Sequence, residues 1–165
     1  MTLVGVYLLA IVAANLSVAA FGPAASILNA FLFIGLDLTT RDALHDRWHG
    51  DHLVLRMGAL VAAGGAISFV LNSGAGQIAV ASTVAFALAA TVDGLVYAAL
   101  GSRSYMVRVN GSNIPAAAVD SLVFPTIAFG AFLPIVVLGQ FAAKVAGGFV
   151  WSLVLNALSV RRRAA

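Results

Sequence analysis

The sequence predicts an all-α integral membrane protein, with six transmembrane helices in one bundle over residues 1–165 and both termini cytoplasmic. Three observations lead there. Hydrophobic residues make up 62% of the chain and charged residues only 9%, with a mean hydropathy of +1.04; soluble domains carry about 25% charged residues, so too little polar surface is present to solvate a globule of this size. The apolar residues fall into separate segments of about the ~20 residues that cross a bilayer, with room for about six. The arginines, finally, are confined to alternate connections.

The apolar segments are Leu3–Phe21, Ala24–Leu38, Leu53–Leu71, Gln77–Leu100, Ile114–Phe132 and Leu133–Val160. Ser17-Val18-Ala19-Ala20 offers small residues for signal cleavage, yet no positive charge precedes the first segment, which is therefore read as a retained span. Gly22-Pro23 predicts a tight turn, because proline cannot continue a helix and glycine permits the reversal. Asn72-Ser73-Gly74-Ala75-Gly76 predicts a second turn, and Pro134 the reversal into the last segment. Ala24–Leu38 is short: at 1.5 Å per residue it covers roughly 22 Å of a ~30 Å hydrocarbon core. It extends through Thr39–Leu44 or thins the bilayer around it.

Charge placement orients the bundle. Arg41, Arg47 and Arg56 lie in or beside the second connection, Arg103 and Arg108 in the fourth, and Arg161, Arg162 and Arg163 at the C-terminus. The other connections carry no lysine or arginine. The positive-inside rule then puts both termini in the cytoplasm. The formal charge of +3 reports this orientation rather than an anionic partner such as nucleic acid. No room remains for a soluble catalytic or nucleic-acid-binding domain, and the absence of cysteine excludes disulfides and thiolate chemistry.

Asp93, Asp120 and Lys144 lie inside these apolar segments. Facing lipid, each would cost roughly 2.5–3.5 kcal/mol on insertion scales, so such residues point into the bundle, pair, and mark a path for a solute or ion. From the segment ends, Asp93 sits about two turns from the cytoplasmic end of the fourth span and Asp120 a similar distance into the fifth. At equal depth they would face each other or share Lys144. In the sixth segment Gln140, Lys144, Gly148, Ser152 and Asn156 recur at every fourth position, a polar seam on one helix face. In the second, Asn29, Phe33, Asp37 and Arg41 follow the same rule, and Asp37 and Arg41 form an ion pair or a gate at the cytoplasmic end. Asn15 and Asn113 add amides that both donate and accept. Carboxylates with amides suit a neutral, flat, donor-rich solute. Gly139, Ala143 and Gly147 form a small-residue row for helix packing or a dimer face.

His45 and His49 stand one helical turn apart, as zinc ligands on a helix do, but no glutamate lies between them and Trp48 marks the segment as interfacial. No metal or other cofactor is expected.

Asn15 ahead of Gly22, with the run from Ala30 through Phe33-Ile34-Gly35-Leu36-Asp37 to Arg41-Asp42, resembles the N-terminal half of the VUT family. Ser112-Asn113, then Val119-Asp120-Ser121-Leu122-Val123-Phe124 and Ile127-Ala128-Phe129, is similar to that family's second signature, and Lys144-Val145 to a third. The resemblance covers nearly the whole chain. It implies an inner-membrane importer of queuosine precursors, the deazaguanines preQ0 and preQ1. It also carries the family's functional polar positions onto Asn15, Asp37, Arg41, Asp93, Asn113, Asp120 and Lys144. In this reading Asp93 or Asp120 accepts the ring N–H and adjacent amino group of the base. Asn15 or Asn113 addresses its oxo group, and Phe33, Phe124 or Tyr97 stacks on the ring. Lys144 neutralises a carboxylate in the empty state or bonds the solute.

The expected partners are therefore a purine-like small molecule and the bilayer, with a homo-oligomer or a coupling subunit left open. One rival is a substrate-capture subunit similar to those of energy-coupling-factor vitamin transporters, which would use the small residues from Ala10 to Ala14 to dock its partner. An embedded enzyme is the other, but the aspartates and histidines fall in different places with no nucleophile motif between them.

Overall fold

Glycine and proline divide the apolar chain into helices. Gly22 takes φ 74°, a left-handed conformation that glycine adopts at no steric cost, and its N–H donates to Val18 O at 2.9 Å. Pro23 then opens the next helix, where a missing N–H is harmless. The computed structural model describes residues 3–33, 44, 48 and 52–164, apart from the side chains of 151–164 and a few others near helix starts. Six α-helices and no strand form among the described residues. They are α1 (Leu3–Phe21), α2 (Pro23–Phe33), α3 (Leu53–Leu71), α4 (Gly76–Ala99), α5 (Tyr105–Phe129) and α6 (Pro134–Ala164). The expected Asp37–Arg41 pair, the His45/His49 segment and the end of the second span lie outside the described residues, as do the side chains of Ser152 and Asn156.

Helices α1 and α3 occupy the segments expected from hydropathy. Helix α4 starts at Gly76, after a short turn over Ser73–Ala75 in which Asn72 Oδ1 accepts from the Gly74 N–H at 3.0 Å. The largest difference is α5. Expected over Ile114–Phe132, it runs Tyr105–Phe129. Arg108, Asn110, Ser112 and Asn113 lower the hydropathy of its first turns without ending the helix, so an apolar window finds its start too late. The helix also runs through Pro115 and Pro125, each of which withholds one backbone donor. Gly130, at φ 65°, ends it.

Two contacts set the direction of α3 against α1. Ile11 packs on Gly64 and Asn15 bonds to Ser68, both 53 residues apart, so the two helices run parallel. Short connections make α1/α2, α3/α4, α4/α5 and α5/α6 antiparallel. Apolar clusters close the two ends. Tyr7, Leu44, Met57 and Val61, with Trp48 and Phe86 against them, pack at the end where α1 and α3 begin. Val18, Ile78, Ala81 and Ala128, with Phe124 and Phe129, pack at the other.

The surface is inverted relative to a soluble protein. Ile135 is 82% exposed, Val70 81% and Phe21 78%, whereas Asn15, Ser26, Ser68, Ser121 and Gln140 are buried. Such a continuous apolar exterior requires an apolar surrounding. Val4–Phe21 and Ser73–Ala99 are long and apolar enough to cross a bilayer.

Small residues allow the close approaches. A Cβ on Gly64 would lie 2.7 Å from Ile11 Cγ2, and one on Gly139 would lie 2.7 Å from Ile27 Cδ1. Gly139 of the small-residue row therefore packs inside the chain, on α2. Adding a methyl at Gly64 gains at most about 1 kcal/mol of helix propensity, while overpacking costs about 1–3 kcal/mol. Gly64→Ala is expected to lower the thermal midpoint of the detergent-purified protein, and an Ile11→Ala background to remove that increment.

Candidate functional site

Between the two apolar clusters lies a cavity of about 270 Å³ to which all six helices contribute. It sits just under the ~300–1,000 Å³ typical of small-molecule sites, which suits a small solute. Helical spacing explains which residues reach it. Ser82, Phe86, Ala89, Ala90 and Asp93 form one face of α4, and Asn113, Ala116, Ala117, Asp120 and Phe124 one face of α5. Gln140, Lys144 and Gly148, three members of the expected polar seam, line it from α6. Alanines and Gly148 leave the space open. Ala10 and Ala14 of α1 also face the cavity, so this row is unavailable as an outer docking face.

Five of the seven expected site residues, Asn15, Asp93, Asn113, Asp120 and Lys144, line this single cavity. Asp37 and Arg41 lie outside the described residues. Phe33 and Phe124 stand in the wall as expected, and Phe124 is braced edge-to-face by Phe129, with ring centroids 6.3 Å apart. Tyr97 does not line the cavity; its ring instead carries the Arg108 guanidinium, 3.8 Å from the centroid. Phe86 takes its place as the aromatic wall of α4. Only the face it shares with Asp93, at i and i+7, signals this in the sequence.

Lys144 pairs with Asp120. Its ammonium also lies 3.4 Å from Ser121 Oγ and 3.4 Å from Gln140 Oε1. Gln140, 1% exposed, donates from Nε2 to Ser26 Oγ at 2.8 Å, and Ser26 donates to Pro23 O at 2.5 Å. A polar chain thus runs from α2 through α6 to α5. A second set ties α1 to its neighbours. Asn15 Nδ2 donates to Ser68 Oγ on α3 at 3.2 Å, and Asn29 Nδ2 on α2 donates to Ser17 Oγ at 2.6 Å and Ala14 O at 3.2 Å. Ser26 and Ser68 were not singled out from the sequence, since a serine among apolar residues carries no spacing signal.

Asp93 and Asp120 are not level. Asp93 precedes the end of α4 by six residues (93 to 99), about 9 Å, whereas Asp120 follows the start of α5 by fifteen (105 to 120), about 22 Å. The expected match in depth fails because α5 begins at Tyr105 rather than Ile114. Asn113, about 12 Å along α5, is the cavity-lining polar residue of α5 nearest the level of Asp93. Asp93 does not share Lys144: its Oδ1 is buried without a hydrogen-bond partner. The Asn113 side chain likewise makes no hydrogen bond among the described residues. Among those residues no group of side chains could hold a metal ion.

Removing one partner of a buried ion pair costs about 3 kcal/mol at the low end of the usual range. That end applies here because the Asp120 side chain is 26% exposed. Lys144→Met is expected to lower the thermal midpoint of the purified protein by several degrees, and the Lys144→Met/Asp120→Leu double variant to regain most of the loss.

No curated protein and no solved structure matches the chain. A family model does, over residues 3–160, almost the whole length, and it describes the family that the motifs around Asp37, Asp120 and Lys144 resemble. An inverted surface, a polar cavity among apolar helices and this match agree: the chain belongs to the putative vitamin uptake transporter family.

Proposed function

We propose that the chain imports a queuosine precursor, preQ0 or a related purine-like base, across the inner membrane, with both termini cytoplasmic and all six helices spanning the bilayer. The observation that carries this reading is the cavity itself. It is small, lined by every helix, and walled by phenylalanines together with carboxylate and amide groups. A deazaguanine matches those walls chemically. Its flat ring stacks on Phe33, Phe86 or Phe124. Its ring N–H and neighbouring amino group need an acceptor, supplied by Asp93 or Asp120, and its oxo group needs a donor, supplied by Asn15 or Asn113. The base is neutral, so it crosses without a counter-ion, and the Lys144–Asp120 pair leaves the cavity without surplus charge at that level. The arginines of the second and fourth connections and the C-terminus support the orientation.

The test is queuosine in the tRNA of cells that lack both precursor synthesis and their own importer, grown on limiting preQ0. Expression of this chain is expected to restore it. Asn113→Ala, which breaks no side-chain hydrogen bond among the described residues, is expected to reduce restoration by about tenfold at equal membrane level, the loss of roughly one hydrogen bond to a solute. Full insertion with no restoration would reject the substrate.

A further inference from the structure

Among the described residues the cavity holds two carboxylates in different states. Asp120 Oδ2 is occupied by the Lys144 ammonium, which Gln140 and Ser121 flank. Asp93 Oδ1 is buried with no partner. Buried polar atoms in native proteins are nearly always bonded, so an orphan oxygen on a cavity wall marks where a donor is missing. The nearest cation along α5, Arg108, does not donate to it: its guanidinium lies on the Tyr97 ring one turn beyond Asp93 on α4, with its own Nε buried and without a hydrogen-bond partner. Asn113, close to the same depth, offers an amide with no bond of its own among the described residues.

We infer that Asp93, and not Asp120, is the carboxylate that reads the solute, and that it reads two neighbouring N–H donors on one edge of a planar heterocycle. This assignment rests on the transport reading above and narrows it. A donor pair side by side needs both oxygens of one carboxylate, in the bidentate manner of a guanidinium. Asp120 has one oxygen committed to Lys144, whereas Asp93 has no ion-pair partner among the described residues. Asn113 then faces the next position around the heterocycle and donates to its carbonyl. Asp120 and Lys144 form a neutral wall that positions α5 against α6 without reading the solute. The site so built accepts guanine-like and amidine-like edges and rejects the same ring without its exocyclic amino group, because a buried oxygen would remain unpaired.

The experiment is equilibrium binding of radiolabelled preQ0, and of its analogue lacking the exocyclic amino group, to the detergent-purified full chain. It compares wild type, Asp93→Asn and the charge-neutral double variant Asp120→Asn/Lys144→Gln. Wild type is expected to prefer the amino-bearing base by about ten- to a hundredfold, the range of a charge-assisted hydrogen bond. Asp93→Asn is expected to lose most of that preference and the double variant to keep it. Because the preference is a ratio within one preparation, a smaller folded fraction does not imitate its loss. An unchanged preference in Asp93→Asn overturns the assignment; so an Asp93 that acts as a protonated donor, which asparagine imitates, would be exposed. Loss of the preference in the double variant overturns it too, whether or not Asp93→Asn also loses it. Failure of wild type to bind either base rejects the queuosine-precursor reading itself, an outcome separate from bound base with unaltered preference.

Discussion

The ion pair between Lys144 and Asp120 is the interaction around which the bundle is arranged. Asp120 lies about 22 Å into α5, near the middle of a 25-residue helix. Alone, each would cost several kcal/mol in an apolar surrounding. Paired, they neutralise each other but leave donors and acceptors to satisfy, and Gln140, Ser121 and Ser26 provide for these. The positions of three helices follow from that requirement. Helix α6 must present Gln140 and Lys144 on one face, α5 must bring Asp120 and Ser121 to it, and α2 must place Ser26 beside Gln140.

Polar bonds fix which faces meet, yet they supply little of the cohesion. Hydrogen bonds between membrane helices average about 0.6 kcal/mol, because the unfolded helix in lipid also finds partners. Lipid removes the hydrophobic drive as well. What remains is contact, and contact improves when backbones come close. Gly64 against Ile11, Gly139 against Ile27 and Gly111 against Leu100 are positions where an added Cβ would meet a side chain at under 3 Å. The same small residues serve a second end. Ala89 and Ala90 on α4 and Ala116 and Ala117 on α5, turned inward with no large neighbour between them, leave the space that forms the cavity.

Hydropathy sufficed to place α1 and α3, because their ends coincide with a glycine–proline turn and an asparagine–glycine turn. It failed at the start of α5, where Arg108, Asn110 and Asn113 are helical but polar; hydropathy measures the preference for lipid and not the backbone conformation. That one misplaced boundary led to the expectation that Asp93 and Asp120 are level, and the depth difference of about 13 Å corrects it. The polar residues of the site were legible as a set, since an unexplained charge or amide in an apolar segment is conspicuous. Their partners were not, because pairing depends on rotation of helices about their axes. Lys144 had two aspartates to choose from, and Tyr97 lay on the wrong side of α4 by less than half a turn. Phe86, Ser26 and Ser68 were invisible, being residue types that membrane helices use everywhere.

The distribution of satisfied and unsatisfied groups among the helices is uneven. Among the described residues, side-chain hydrogen bonds join α3 to α1, α1 to α2, α2 to α6 and α6 to α5. Helix α4 is joined to α5 by Gln77, near its first turn, whose Nε2 donates to Ile127 O at 2.9 Å. Thr83 and Thr91 bond only to their own helix, at Ala79 O and Ala87 O. The far half of α4 therefore carries Asp93 without a polar tie across the cavity. A solute shifts a conformational equilibrium only as far as its contacts differ between the states. A solute that donates to Asp93 on α4 and accepts from Asn113 on α5 makes contacts that depend on the spacing of those two helices, at the end of the cavity nearest the arginines. Among the described residues the polar groups of α1, α2 and α6 that line the cavity are already bonded, so binding of this kind changes the polar satisfaction of α4 and of the first turns of α5 more than that of the other helices.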